Sequence, residues 1–256
     1  MPARLTARVV SCLALLLPLV VSSSADAQTA QPVYPVYDGF ARTDEGPVVL
    51  SFAYFNHNRE AVMIPAGPDN AFSPDAADRQ HTTTFLPGHQ RFQCIMLVDA
   101  AFDGGLRWRL SYADTETSTS ADMLQYNWEL DASGTRQAMR DIDVASAPRG
   151  VCLNRPPLVR LLGLRGGPEG APPEVTLSRA DQLQLFGSVQ DEGLPRDAGV
   201  TTAWRQVSGP GTTRFRDPSV ARTIASFDVA GTYELELWAS DSELEATTQL
   251  RVVVTP

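Results

Sequence analysis

Lysine is absent. All 21 basic side chains are arginine, set against 30 acidic ones, for a formal net charge of −9. A surface of that sign repels a phosphate backbone, which argues against a nucleic-acid partner. Histidine occurs only three times, at His57, His81 and His89, with no H-x-x-x-H or H-E-x-x-H spacing to build a zinc site. There is no C-x-x-C, no G-x-S-x-G, no phosphate loop and no Rossmann fingerprint. Redox, serine-hydrolase and nucleotide chemistry each lose their usual mark. No stretch keeps a long helical period, and beyond Val21 no apolar run approaches membrane length.

What is present begins with an address. Arg4 and Arg8 precede an apolar run from Val9 to Val21, and Ala25-Asp26-Ala27 follows as a small-x-small cleavage site. The run falls short of the roughly 20 residues that a bilayer needs. Residues 1–27 are therefore expected to be a cleaved signal peptide; an uncleaved anchor is the alternative. The mature chain then carries 19 arginines and 29 acidic residues and no membrane span, and is expected to be secreted or periplasmic. Cleavage removes Cys12 and leaves Cys94 and Cys152. In an oxidising compartment two cysteines suggest one disulfide, stabilising by at most about 4 kcal/mol for a loop of this size. Two unpaired buried thiols are the other reading.

The rest reads as short strands between turns. After a proline-containing leader over 28–35, Val48 to Phe55 and Ala61 to Ile64 suggest a hairpin. Phe92 to Val98 reads as a strand. Leu106 to Tyr112 and Leu124 to Leu130 alternate with period two, the mark of half-buried strands. Thr135 to Ile142 suggests a short helix. Residues 33–147 are expected to form an all-β domain, a sandwich. Residues 148–157 contain Pro148, Pro156 and Pro157 and read as a linker. Seven further strand candidates follow between 158 and 256, as expected of a second sandwich. The fold class is thus all-β, two sandwiches in tandem.

The second set carries four ordered motifs. They are Asn154-Arg155-Pro156-Pro157, then Leu185-Phe186-Gly187-Ser188 running on to Asp191-Glu192-Gly193. Next comes Trp204 with Ser208-Gly209-Pro210-Gly211, and last Gly231-Thr232-Tyr233 with Ala239-Ser240-Asp241. With them, residues 154–256 resemble the PKD-like domains, immunoglobulin-like modules of secreted proteins. Glu192 and Ser242 stand where that pattern has an aspartate and a glycine. Some PKD-like domains hold calcium, and the resemblance places such a site at Asn154, Asp191, Glu192 and Asp241, whose oxygens suit a hard cation. The alternative is that these residues make turns. Tyr54-Phe55-Asn56-His57-Asn58, Ile64 to Asn70, Phe72-Ser73-Pro74 and Phe85-Leu86-Pro87 resemble an N-terminal module of uncharacterised secreted bacterial proteins, which brings no activity with it.

Residues 65–80 form the longest loop, and long loops on rigid β scaffolds often bind. Its candidate contacts are Asp69, Asn70, Phe72, Asp75, Asp78 and Arg79; the alternative is a proline-stiffened surface loop that packs on its own sandwich. The expected function is a non-catalytic interaction protein that meets a protein or glycan at the cell envelope, with no cofactor other than calcium. The alternative is an accessory, hydrolytic or metal-binding protein with its site in the N-terminal domain.

Overall fold

A computed structural model describes residues 29–121, 125–167 and 170–256. The expected signal peptide lies outside the described residues. The chain folds into two β-sandwiches in tandem. The first holds β1 (Val33–Arg42), β2 (Val48–Asn56), β3 (Val62–Met63), β4 (Asn70–Ser73), β5 (Thr84–Phe85), β6 (Gly88–Val98), β7 (Leu106–Tyr112) and β8 (Thr115–Ala121). One sheet runs β1-β2-β6, a second β4-β7-β8, and β3 pairs with β5 alone. The sheets close on aromatic rings: Phe52 of β2 packs edge-on against Phe72 of β4 and Trp108 of β7, which stack on each other.

The expected hairpin does not form. β2 pairs with β1 and β6, and β3 pairs with β5. The reason is burial on both faces. A second apolar layer, with Val49, Ile95, Leu97, Ala138 and Leu153, covers the back of the β1-β2-β6 sheet. A strand buried on both sides is apolar at every position and shows no period. The helix that supplies Ala138, α1 (Ala132–Ala138), is capped by Asp131, which accepts from Gly134 N.

Leu124 to Leu130 is not a strand. Leu124 lies outside the described residues, and Tyr126–Trp128 forms a turn of 3-10 helix. The Trp128 ring lies 5.6 Å from that of Tyr37, and Leu130 N donates to Phe40 O, so the segment makes a single parallel bridge to β1 instead of a strand.

The second sandwich holds β9 (Leu158–Leu161), β10 (Glu174–Ser178), β11 (Leu183–Gln190), β12 (Thr201–Ser208), β13 (Thr213–Phe215), β14 (Arg222–Phe227), β15 (Gly231–Ser240) and β16 (Glu245–Thr255). Its sheets are β13-β14-β11-β9 and β10-β16-β15-β12, with β10 parallel to β16. That strand order is immunoglobulin-like. So are two anchors. Trp204 on β12 is buried, its indole donating to Ala221 O. Tyr233, at the start of β15, donates from its hydroxyl to Val229 O at 2.7 Å, closing the corner. Among the described residues no helix is long and apolar enough to cross a membrane.

Candidate functional site at the domain junction

Three segments converge where the sandwiches meet: residues 152–157, the β11–β12 connection from Asp191 to Val200, and the β15–β16 turn over Asp241 to Leu244. Residues 148–157 do not swing free. Gly150 N and Leu153 N donate to Leu97 O and Ile95 O of β6, and Cys152 is bonded to Cys94. The disulfide thus fixes where the next residues begin.

Arg155 follows, and it is buried. Its guanidinium donates to Phe92 O at 2.7 Å and Gln137 O at 3.1 Å, both in the first sandwich. Its counter-ion comes from the second: Glu192 Oε1 accepts from Arg155 N at 2.6 Å, and Oε2 lies 3.9 Å from Nη2. Burial pushes the Glu192 carboxyl up to about 7, against the pull of Arg155. It also lowers the Arg155 pKa, which Glu192 partly offsets. Two residues on, Leu194 joins the apolar core of the first sandwich. The backbone there passes so close to Thr82 that a Cβ on Gly193 would lie 2.7 Å from its hydroxyl oxygen. Arg196 then grips the first sandwich with its whole fork. It meets both Asp78 carboxylate oxygens at 2.5 and 2.8 Å and donates from Nε to His81 O at 2.8 Å. This bidentate pair holds the Asp78 carboxyl far below its usual range.

The long loop, read as either a binding loop or one packed on its own sandwich, turns two of its six candidate side chains fully inward. Asn70 is fully buried, donating to Ile64 O and Thr82 O and accepting from Trp108 Nε1. Phe72 is core. Arg79 holds Gly150 O and Pro74 O, and Asp78 holds Arg196. Asp69, Asp75 and Asp78 stay exposed. His81 is sealed behind this loop, its Nε2 at 3.2 Å from Asn70 O and its Nδ1 accepting from Arg79 N. Burial lowers its pKa to about 4, so the ring is neutral. His57 and His89 both lie against Phe55.

The residues expected to hold calcium are brought together in part. Asp191 Oδ1 accepts from Gly193 N, Asp241 Oδ1 from Glu243 N and Leu244 N, and Asn154 Nδ2 donates to Glu243 Oε2. Each side chain is thereby fixed by one atom. The other oxygens, Asn154 Oδ1, Asp191 Oδ2 and Asp241 Oδ2, are buried with no hydrogen-bond partner among the described residues. Burial and the negative charge of Asp241 raise the Asp191 carboxyl to about 6, against the Gly193 N–H. Three desolvated oxygens without a donor are costly unless a cation or water meets them. Glu192 departs from the expected set, because its carboxylate is committed to Arg155. Among the described residues no three His, Cys, Asp or Glu side chains form a metal cluster; the oxygens here come from two carboxylates and an amide.

Beside these oxygens lies a cleft of about 740 Å³ between the sandwiches, lined by Met63, Leu86, Gln93, Gln190, Leu194 and Val200 among others. Arg155, Leu194 and Arg196 escaped the sequence reading as contacts. A lone arginine beside prolines carries no periodic signal, and its partners lie 18 to 63 residues away.

No protein-family model matches the chain. Among solved structures it is similar to the three N-terminal domains of the highly immunogenic outer capsid protein Hoc of bacteriophage RB49, at 10% identity and a TM-score of 0.26; the match covers 87% of this chain and 58% of that one. Drosophila N-cadherin EC1-3 gives 11% identity and a TM-score of 0.28 over 89% of this chain and 68% of the other. A chimeric titin Z1Z2 gives 10% identity and a TM-score of 0.27 over 87% and 97%.

Proposed function

We propose that the chain is an exported, non-catalytic interaction protein that meets a protein or glycan partner at the cell envelope. In this reading residues 1–27 are its signal peptide, 33–147 the N-terminal sandwich, 148–157 the connector and 158–256 a PKD-like unit. The observation that carries it is the junction. Arg155, Leu194 and the Asp78–Arg196 pair fasten the second sandwich into the first, so the two offer one composite surface. A disulfide across the same region suits an oxidising compartment.

Calcium belongs to this reading, held by Asn154, Asp191 and Asp241. A bound cation would supply positive charge to three buried oxygens and tie residue 154 to both loops of the second sandwich. The test is thermal unfolding of the mature chain in millimolar calcium and in chelator. Calcium at about 100 times its dissociation constant should add about 2.7 kcal/mol, and Asp241→Asn should reduce that gain. Equal melting temperatures would remove calcium from the account. The partner is tested by passing fractionated envelope over the immobilised mature chain. Retention of a defined protein or polysaccharide is expected, and none retained would overturn the reading.

A further inference from the structure

Although the chain is acidic overall, every charged side chain in the strands of one sheet is arginine. The strands β9, β11, β13 and β14 contain no aspartate or glutamate. Successive side chains alternate between faces, and the inward set is filled by Leu185, Gly187, Ala225 and Phe227. The outward set is read from the pairings: Arg160 beside Ser188, Arg222 beside Phe186, Arg214 beside Ser226. Arg216 follows, its backbone N–H on Ile224 O. All four arginines are exposed, and none has an ion pair or side-chain hydrogen bond among the described residues. Elsewhere Arg251 pairs with Glu174 and Arg109 with Glu116, whereas the exposed Arg59, Arg107 and Arg179 have no ion pair among the described residues.

Between the arginines lie apolar side chains. Phe186 is 50% exposed and Leu162, whose N–H bonds Phe186 O, is 40% exposed. Arg160 and Arg214 stand three strands apart and are offset along the strands, roughly 25 Å from each other. Four like charges on one face repel without any acid to offset them, and a half-exposed phenylalanine gains nothing from water. Both costs vanish against a partner that is anionic and has apolar faces.

We propose that this face binds an acidic polysaccharide. The proposal rests on the interaction-protein reading above and names its partner class. Planar guanidinium forks pair bidentately with carboxylates spaced along a chain. Phe186, Leu162 and Ile224 carry the C–H faces of the sugar rings. The face is an open sheet surface, which suits an extended polymer more than a small ligand. Two exposed apolar side chains offer too little buried area to anchor on lipid.

The test uses the mature chain, in fixed buffer, with size-defined hyaluronan oligosaccharides as the carboxylated probe and dextran as the neutral one. Calorimetry should show hyaluronan binding that weakens with salt, and no dextran binding. The double variant Arg214→Gln/Arg222→Gln leaves the fold intact, since both side chains are exposed, and should bind at least about tenfold more weakly. Phe186→Ser should weaken binding without changing its salt dependence. No hyaluronan binding, or binding equal in the double variant, overturns the proposal. So does binding to phosphatidylglycerol vesicles in its place, or self-association that the double variant abolishes. If the double variant still retains envelope material as the parent does, the interaction reading stands and this face is wrong. If the parent retains none, the reading itself has failed.

Discussion

His81 shows what one residue does at the core of the first sandwich. It is fully buried and neutral, with both ring nitrogens committed. An unfolded histidine titrates near 6.5, whereas His81 titrates near 4. On acidification the unfolded chain therefore takes up its proton first. The stabilising contribution of the neutral ring is complete above about pH 6.5 and falls as pH drops, by about 3 kcal/mol at pH 4. Glu192 and Asp191, raised to about 7 and 6, gain stability over the same range, so the His81 loss is read as the difference between the parent and His81→Gln in urea unfolding at pH 7 and pH 4.5. A variant whose stability changes with pH as that of the parent does would show that the proton goes elsewhere. Arg155 acts at the same scale with the opposite logic. It is a cation kept charged inside the protein because two carbonyls and a carboxylate surround it.

At the scale of the element, the second sandwich is built from turns that press on one ring. A Cβ on Gly209 would lie 2.3 Å from Tyr233 Cδ1, and the hydroxyl of that ring holds Val229 O. Gly209→Ala should displace Tyr233 and cost about 2–3 kcal/mol, read as a lower urea midpoint at unchanged slope. Ser208-Gly209-Pro210-Gly211 and Gly231-Thr232-Tyr233 were visible as motifs, and they meet at this one contact. Alternation likewise made Leu106 to Tyr112 and Tyr233 to Leu237 legible, because those strands are buried on a single face. Other strands were hidden for physical reasons. β8, Thr115–Ala121, has almost no apolar residue; its Thr117 and Thr119 hydroxyls bond the backbone of β1. β1 contains Pro35, which an edge strand tolerates but a reader takes for a leader. At the site, Asn154, Asp191 and Asp241 were legible through their motifs. The pairing of Arg155 with Glu192, which withdraws Glu192 from the set, depends on a fold-level contact that no local pattern encodes.

For the whole molecule the junction decides whether there are two bodies or one. Leu194 sits in the first sandwich's core at the end of a loop from the second, and Arg196 locks it there. The parent should unfold in one cooperative transition. Leu194→Asp places a charge in that core and should uncouple the sandwiches, splitting the calorimetric peak and raising the radius of gyration in solution scattering. A single peak at unaltered radius would mean that the coupling resides outside this loop. The two outer faces of the second sandwich differ in sign as well: Glu234, Glu236 and Glu245 belong to one sheet, while the other carries unpaired arginines. A locked junction keeps those faces at a set angle to the first sandwich.

The bond between Cys94 and Cys152 has a mechanical consequence. A pull on the two ends of the chain passes from β6 through the sulfurs to Asn154 and on into the second sandwich. The intervening loop, a sequence separation of 58, bears no load while the bond stands. Stretched singly under oxidising conditions, the molecule should reach its limit short by that loop. Reduction should then release roughly 200 Å of concealed length, making the disulfide a stop that sets how far the first sandwich itself can be drawn out.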